Sequence, residues 1–162
     1  MTFNNCTCSM DDPEKLLTHL RCGISKSIKR RTFSIEIKFS QPVTNFFINL
    51  RMVLPRRAGM DFTVFNLTDI EGCRLLSNTK QIPILQVGRI HLDHFSNLPK
   101  NCPWKPNVMY YIRGFRPNME SMPAFSFETD LNLWFDFVVN HSKIIKGFMV
   151  GHVQRRQIGK KT

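Results

Sequence analysis

Five cysteines, Cys6, Cys8, Cys22, Cys73 and Cys102, are the side chains of this sequence most open to chemistry. A cysteine can ligate zinc, act as a nucleophile, close a disulfide or simply fill a core. Zinc wants paired C-x-x-C or C…H spacings. Here only a C-x-C occurs, at the N-terminus, and the other three cysteines are scattered, which speaks against a metal centre. A nucleophilic Cys102 needs a histidine partner, which spacing does not reveal. In "FSNLPKNCPW" Pro103 follows it and removes a backbone N–H, which suits a fixed turn better than a reactive elbow. "HLDH" sets His91 and His94 one helical turn apart around Asp93. A metal there would need further ligands and an outer shell to orient them, so a solvated helix face is the plainer reading. His19, His141 and His152 have no evident partner.

Catalytic signatures are missing. There is no G-x-S-x-G elbow, phosphate-binding glycine loop, H-E-x-x-H or paired acid and base carboxylates. Arg113-Gly114-Phe115 echoes the start of an RNA-binding signature, but Arg116-Pro117 breaks it. The expectation is a protein that is not an enzyme and needs no cofactor.

Three glycosylation sequons bear on the cysteines: Asn5-Cys6-Thr7, Asn66-Leu67-Thr68 and Asn140-His141-Ser142. Asn66 and Asn140 fall at predicted strand ends and are the candidate acceptors. In an oxidising compartment Cys73 would pair with Cys102 and Cys8 with Cys22, leaving Cys6 odd, although no connectivity follows from sequence alone. Against that compartment, "MTFNNCTCSMDDPEK" has neither the basic start nor the apolar core of a signal peptide. No apolar run approaches the roughly eighteen residues of a membrane span.

The elements that must position these residues are mostly strands. In "TFSIEIKFS", Phe33, Ile35, Ile37 and Phe39 alternate with polar residues, and in "FSFETDLNLWFDF" the odd positions from Phe125 to Phe137 are mainly apolar. Period two means a strand with one wet and one dry face, the habit of antiparallel sheets. Weaker strand patterns lie at "NFFINLRMVL", "DFTVFNL", "NVMYYIRGF" and "KIIKGFMVGHV", separated by turn chemistry. Between about residues 70 and 96 the apolar positions Leu75, Leu76, Ile84, Leu85, Leu92 and Phe95 follow a helical period, broken at Pro83.

Six or seven strands with one helical insertion predict a mainly β fold, a two-sheet antiparallel sandwich. It would occupy residues 22–154, after a partly ordered segment at 1–21 and before a frayed basic tail at 155–162. Of fourteen phenylalanines, Phe33, Phe39, Phe46, Phe125, Phe127, Phe135, Phe137 and Phe148 crowd its dry faces. They could simply be core, or they could line a sandwich held open around an apolar ligand. On the second view the contact residues are Phe33, Ile35, Ile37, Phe46, Ile48, Leu50, Met52, Phe125, Phe127, Leu133, Phe135 and Phe148. A net charge of +11 favours anionic partners of any kind. The clusters Lys29-Arg30-Arg31, Arg56-Arg57 and Arg155-Arg156 are more often solvated faces than nucleic-acid grooves.

"NLTDIEGC" ending at Cys73, "FSNLPKNCPW" around Cys102 and "YYIRGF" together resemble an insect family of small secreted proteins, domain of unknown function 1091. An early cysteine like Cys22 and a strand like "TFSIEIKF" also fit. The resemblance spans about Cys22 to Val153 and implies kinship with the lipid-recognition (ML-like) sandwiches. It therefore implies an immunoglobulin-like β-sandwich, secretion, a pocket between the sheets, no catalysis, and binding of a lipid or other apolar small molecule, with contact chemosensation as one setting. Family members begin with a signal peptide, so secretion would require a precursor longer than this chain. The partners expected are an apolar small molecule or lipid and a membrane receptor, with no nucleic acid. The alternative is an extracellular module with a solid core whose basic surface meets acidic glycans or a receptor. A cytosolic nucleic-acid binder comes third.

Overall fold

The structure, a computed structural model, describes residues 1–27, 31–117 and 128–154. Within them the strands are β1 (Thr2–Met10), β2 (Leu17–Ile24), β3 (Phe33–Phe39), β4 (Phe47–Leu54) and β5 (Phe62–Glu71). Two helices follow, α1 (Gly72–Ser77) and α2 (Pro83–Asp93), and then β6 (Tyr110–Phe115), β7 (Thr129–Val139) and β8 (Ser142–Val153). One sheet has the order β1-β8-β7-β4-β5 and the other β2-β3-β6, with every pairing antiparallel. The protein is a two-sheet β-sandwich, and its helices occupy the segment whose period predicted them.

Where alternation is clean, burial follows it. Phe33, Ile35, Ile37 and Phe39 are buried, and the residues between them are half-buried. The β7–β8 hairpin turns on Asn140 and His141, both with positive φ (48° and 63°), as a two-residue turn matched to the strand twist requires. Val139 and Ser142 face each other across it.

Two strands escaped the sequence pattern. Residues 1–21, set apart as partly ordered, instead supply β1, which pairs along β8 at the edge of the larger sheet, and most of β2. "TFNNCTCSM" buries only Phe3 fully, so an edge strand with two largely exposed faces left no alternation to read. Asp12 makes the β1–β2 turn by accepting the Leu16 and Leu17 N–H groups at 3.0 and 2.7 Å. The tail at 155–162 lies outside the described residues, as do Phe125, Phe127, Lys29 and Arg30.

The core between the sheets is aromatic. Phe46 stacks on Phe137 with centroids 4.6 Å apart and planes 8° apart. Trp104 meets Phe39, Phe46, Tyr110 and Phe137 edge-on, with centroids 4.8–5.8 Å away, the arrangement ring quadrupoles favour. Trp104 is held in turn by a backbone bridge to Val43. Phe33, Ile35, Ile37 and Phe46 all belong to this filled interior.

Two of the histidines without evident partners gain them from strand pairing. His19 on β2 lies 3.2 Å from Glu36 on β3. His152 on β8 sits 2.7 Å from Asp130 and 3.0 Å from Glu128, because Asp130 is its cross-strand neighbour. The hydrogen bond to Asp130 does most to raise the His152 pKa above 6.5, burial opposes it, and Glu128 adds to it. A raised native value stabilises the fold fully below the unfolded pKa of about 6.5 and ceases to do so as pH rises through the native value. Proton NMR titration should place His152 above 6.5, and Asp130→Asn should bring it back down. A His152 titrating at or below 6.5 would show that the clamp does not form in solution.

A candidate ligand cavity

Because Pro83 has no N–H to leave unpaired, it opens α2 at the first helical position. Ile84, Leu85, Gly88, Arg89 and Leu92 then fall on one stripe of the helix at i, i+1, i+4, i+5 and i+8. α1 begins under Phe46, whose carbonyl accepts the Gly72 N–H at 2.9 Å. A Cβ on Gly72 would lie 2.2 Å from the Phe46 ring, so only glycine permits that approach. At the other end of α1, Asn78 takes a left-handed conformation (φ 54°), and its N–H closes the helix on the carbonyls of Arg74 and Leu75.

The stripe of α2 does not reach the aromatic core. It stands over a partly open cavity of about 230 Å³ whose floor is the larger sheet. Leu50 and Met52 of β4, Phe65 and Leu67 of β5, Leu133 of β7, and Met1 with Phe3 form that floor. Leu75 and Leu76 of α1, the α2 stripe and Leu98 form the roof, and Phe115 with Pro117 closes the side toward the smaller sheet. The lining is almost wholly apolar, and Arg89 is its one charged side chain.

Arg89 is only 4% exposed, and its polar partners are two backbone carbonyls and Asp93. Its Nη1 pairs with Asp93 one turn on at 2.6 Å. Its Nε–H donates to the Leu76 carbonyl in the last turn of α1, and Nη2 donates to the Pro99 carbonyl, at 3.2 and 3.3 Å. One buried guanidinium thus ties α2 to α1 and to the segment leading to Cys102. The Cys73–Cys102 disulfide closes the same excursion from outside (Cα–Cα 5.5 Å). A second disulfide joins Cys8 to Cys22, and Cys6 is free.

Of the twelve expected contact residues, Leu50, Met52 and Leu133 line the cavity. Phe33, Ile35, Ile37 and Phe46 are consumed by the solid core, and Ile48 and Phe135 pack against it. Phe148 lies on the outer face of the larger sheet, 5.0 Å from Trp134. Alternation marks which face is dry, and it is silent on whether another element fills the space opposite. Most of the roof was visible as the helical period of Leu75, Leu76, Ile84, Leu85 and Leu92. Arg89 stands outside that apolar period, although a lone cation within an apolar helical stripe is a usable signal.

Asn140 is exposed at the β7–β8 turn, where its amide donates to Glu14 at 3.1 Å. Asn66 is exposed too, but it sits mid-strand in β5 opposite Arg51, not at a strand end. His91 is not a solvated face residue. It is half-buried between Phe95 and Phe115 and donates from Nε2 to the Arg116 carbonyl at 2.8 Å. Asp93, between the "HLDH" histidines, is engaged with Arg89. No helix among the described residues is long and apolar enough to cross a membrane.

The model of a family described as Protein of unknown function (DUF1091) matches residues 45–133, which run from β4 through both helices and β6 into β7. No curated protein matches the chain.

Proposed function

Since the chain belongs to the DUF1091 family, whose description states no activity, we infer its function from the cavity: it binds and carries a small apolar ligand, a lipid chain or similar hydrocarbon. The observation that carries this reading is a space of about 230 Å³ walled almost entirely by apolar side chains in a protein whose core is otherwise filled. An apolar cavity of about 150 Å³ already stays dry and accepts a benzene-sized guest. With the Arg89 guanidinium engaged by Asp93 and two carbonyls, the wall offers such a ligand mainly dispersion contacts.

In the same reading the chain is a non-enzymatic, secreted insect protein akin to the lipid-recognition sandwiches, and a pheromone-type ligand would place it in contact chemosensation. Support for secretion comes from the two disulfides, which persist in oxidising compartments, and from exposed Asn66 and Asn140. Support for the kinship comes from the two-sheet architecture with its helical roof.

Gly88 supplies the test. It borders the cavity, and a Cβ built there meets nothing within 4 Å. Gly88→Phe should therefore direct a ring into the space and recover part of the roughly 1 kcal/mol by which glycine trails alanine in a helix. In delipidated protein, fatty acids or alkanes at about a hundred times Kd should add about 2.7 kcal/mol, or roughly 5–10 °C in melting temperature. Gly88→Phe should melt higher than the wild type without ligand and lose the ligand-dependent shift. A wild type that shifts with no lipid or alkane, while binding heparin in a steeply salt-dependent way, would favour the glycan-binding alternative.

A further inference from the structure

Cys6, Cys8 and Cys22 meet at the edge where the two sheets come together, and ligand binding makes no use of them. Cys6 and Cys8 lie two residues apart on β1, so their side chains share a face, and Cys22 on β2 stands opposite. The three sulfur atoms lie within 4.8 Å of one another. Cys8 is bonded to Cys22, whereas Cys6 keeps a free thiol 3.6 Å from the Cys22 sulfur. The bonded pair borders a shallow surface groove, together with Met10, His19 and Arg21, and Cys6 does not.

We propose that these three cysteines form an internal thiol–disulfide exchange site, in which Cys6 displaces Cys8 from Cys22 and Cys8 is delivered to the groove as a thiol. The step balances without an external oxidant. The Cys6 thiol gives its proton to solvent, its thiolate attacks the Cys22 sulfur, and a Cys6–Cys22 bond forms. The Cys8–Cys22 bond breaks, and the departing Cys8 thiolate takes up a proton. One disulfide and one thiol stand on each side, so the sheets stay bridged while the staple moves two residues along β1.

The resting geometry also sets the pace. Displacement needs the three sulfurs in line, and the 3.6 Å contact plus a bond of about 2 Å would span about 5.6 Å. The observed cluster is more compact, so Cys6 must first rotate about its Cα–Cβ bond. Burial pushes the Cys6 thiol up to about 11, which keeps the thiolate scarce near neutrality and makes transfer faster as pH rises.

Iodoacetamide decides the matter on the oxidised, unreduced protein, labelled at about pH 7 and about pH 9 and digested in acid to prevent reshuffling. Fragmentation on either side of Thr7 separates the two sites. The expected result is label on Cys8 as well as Cys6, appearing faster at the higher pH, and no label on Cys8 in Cys6→Ser. Cys8→Ser should form a Cys6–Cys22 bridge in its place. Label confined to Cys6 at both pH values would overturn the proposal, whether or not Cys8→Ser folds. So would a folded Cys8→Ser protein in which Cys6 and Cys22 both stay reduced.

Discussion

Phe46→Ala is expected to remove about 3–5 kcal/mol of stability, a large part of the 5–15 kcal/mol that holds a typical domain together. The side chain is 2% exposed, stacks on Phe137 and meets Trp104 edge-on, so its removal opens a cavity at the centre of the aromatic cluster. Urea denaturation should show the midpoint falling by roughly 1–3 M with little change in slope. A drop of less than about 1 kcal/mol would mean that the cluster is not the organising core. The same ring explains Gly72, where a Cβ would sit 2.2 Å from it. Gly72→Ala alone should destabilise by about 1–3 kcal/mol through overpacking. With the ring gone that alanine has room, so the double variant should be more stable than the two single losses add up to.

The fate of Phe46 shows how far pattern alone reaches. Phe46 shares a spacing of two with Leu50 and Met52, and all three lie inside the molecule. What separates them is the element opposite. Phe46 meets Phe137 and Trp104, while Leu50 and Met52 meet the roof helices across an open space. That opposition depends on how two sheets and a 72–93 excursion pack in three dimensions, and no local period encodes it. The fold class was legible for the converse reason, since β3 and β7 write their buried face directly into their alternation. β1 wrote almost nothing, because an edge strand lying on β8 buries little besides Phe3. The partners of His152 were hidden similarly, because Asp130 reaches it only through the β7–β8 register.

Removing the Cys73–Cys102 bridge in a Cys73→Ser, Cys102→Ser double variant should cost about 3–4 kcal/mol, because it frees a closed loop of 29 residues in the unfolded chain. The effect on the cavity should exceed that on the sandwich. Cys73 lies at the start of α1, and Cys102 lies two residues before Trp104, whose backbone pairs with Val43 on the core side. The bridge therefore fastens both ends of the roof to rigid structure. Without it, α1 and α2 are held by the Arg89 bonds to Leu76 and Pro99, the Gly72 bond to Phe46, the His91 bond to the Arg116 carbonyl and the contacts around a space that is partly empty. Amide hydrogen exchange should then show α2 opening well below the global unfolding free energy, while β7 and β8 stay protected to the global limit. Ligand-dependent stabilisation should shrink in step with α2. Unchanged α2 protection would mean that Arg89 and packing hold the roof unaided. The other bridge predicts the opposite outcome, although its 14-residue loop gives a comparable entropy of about 3 kcal/mol. Cys6 stands 3.6 Å from Cys22 and can take the place of Cys8. Cys8→Ser should therefore cost far less than that figure, whereas Cys73 and Cys102 have no third sulfur near them among the described residues.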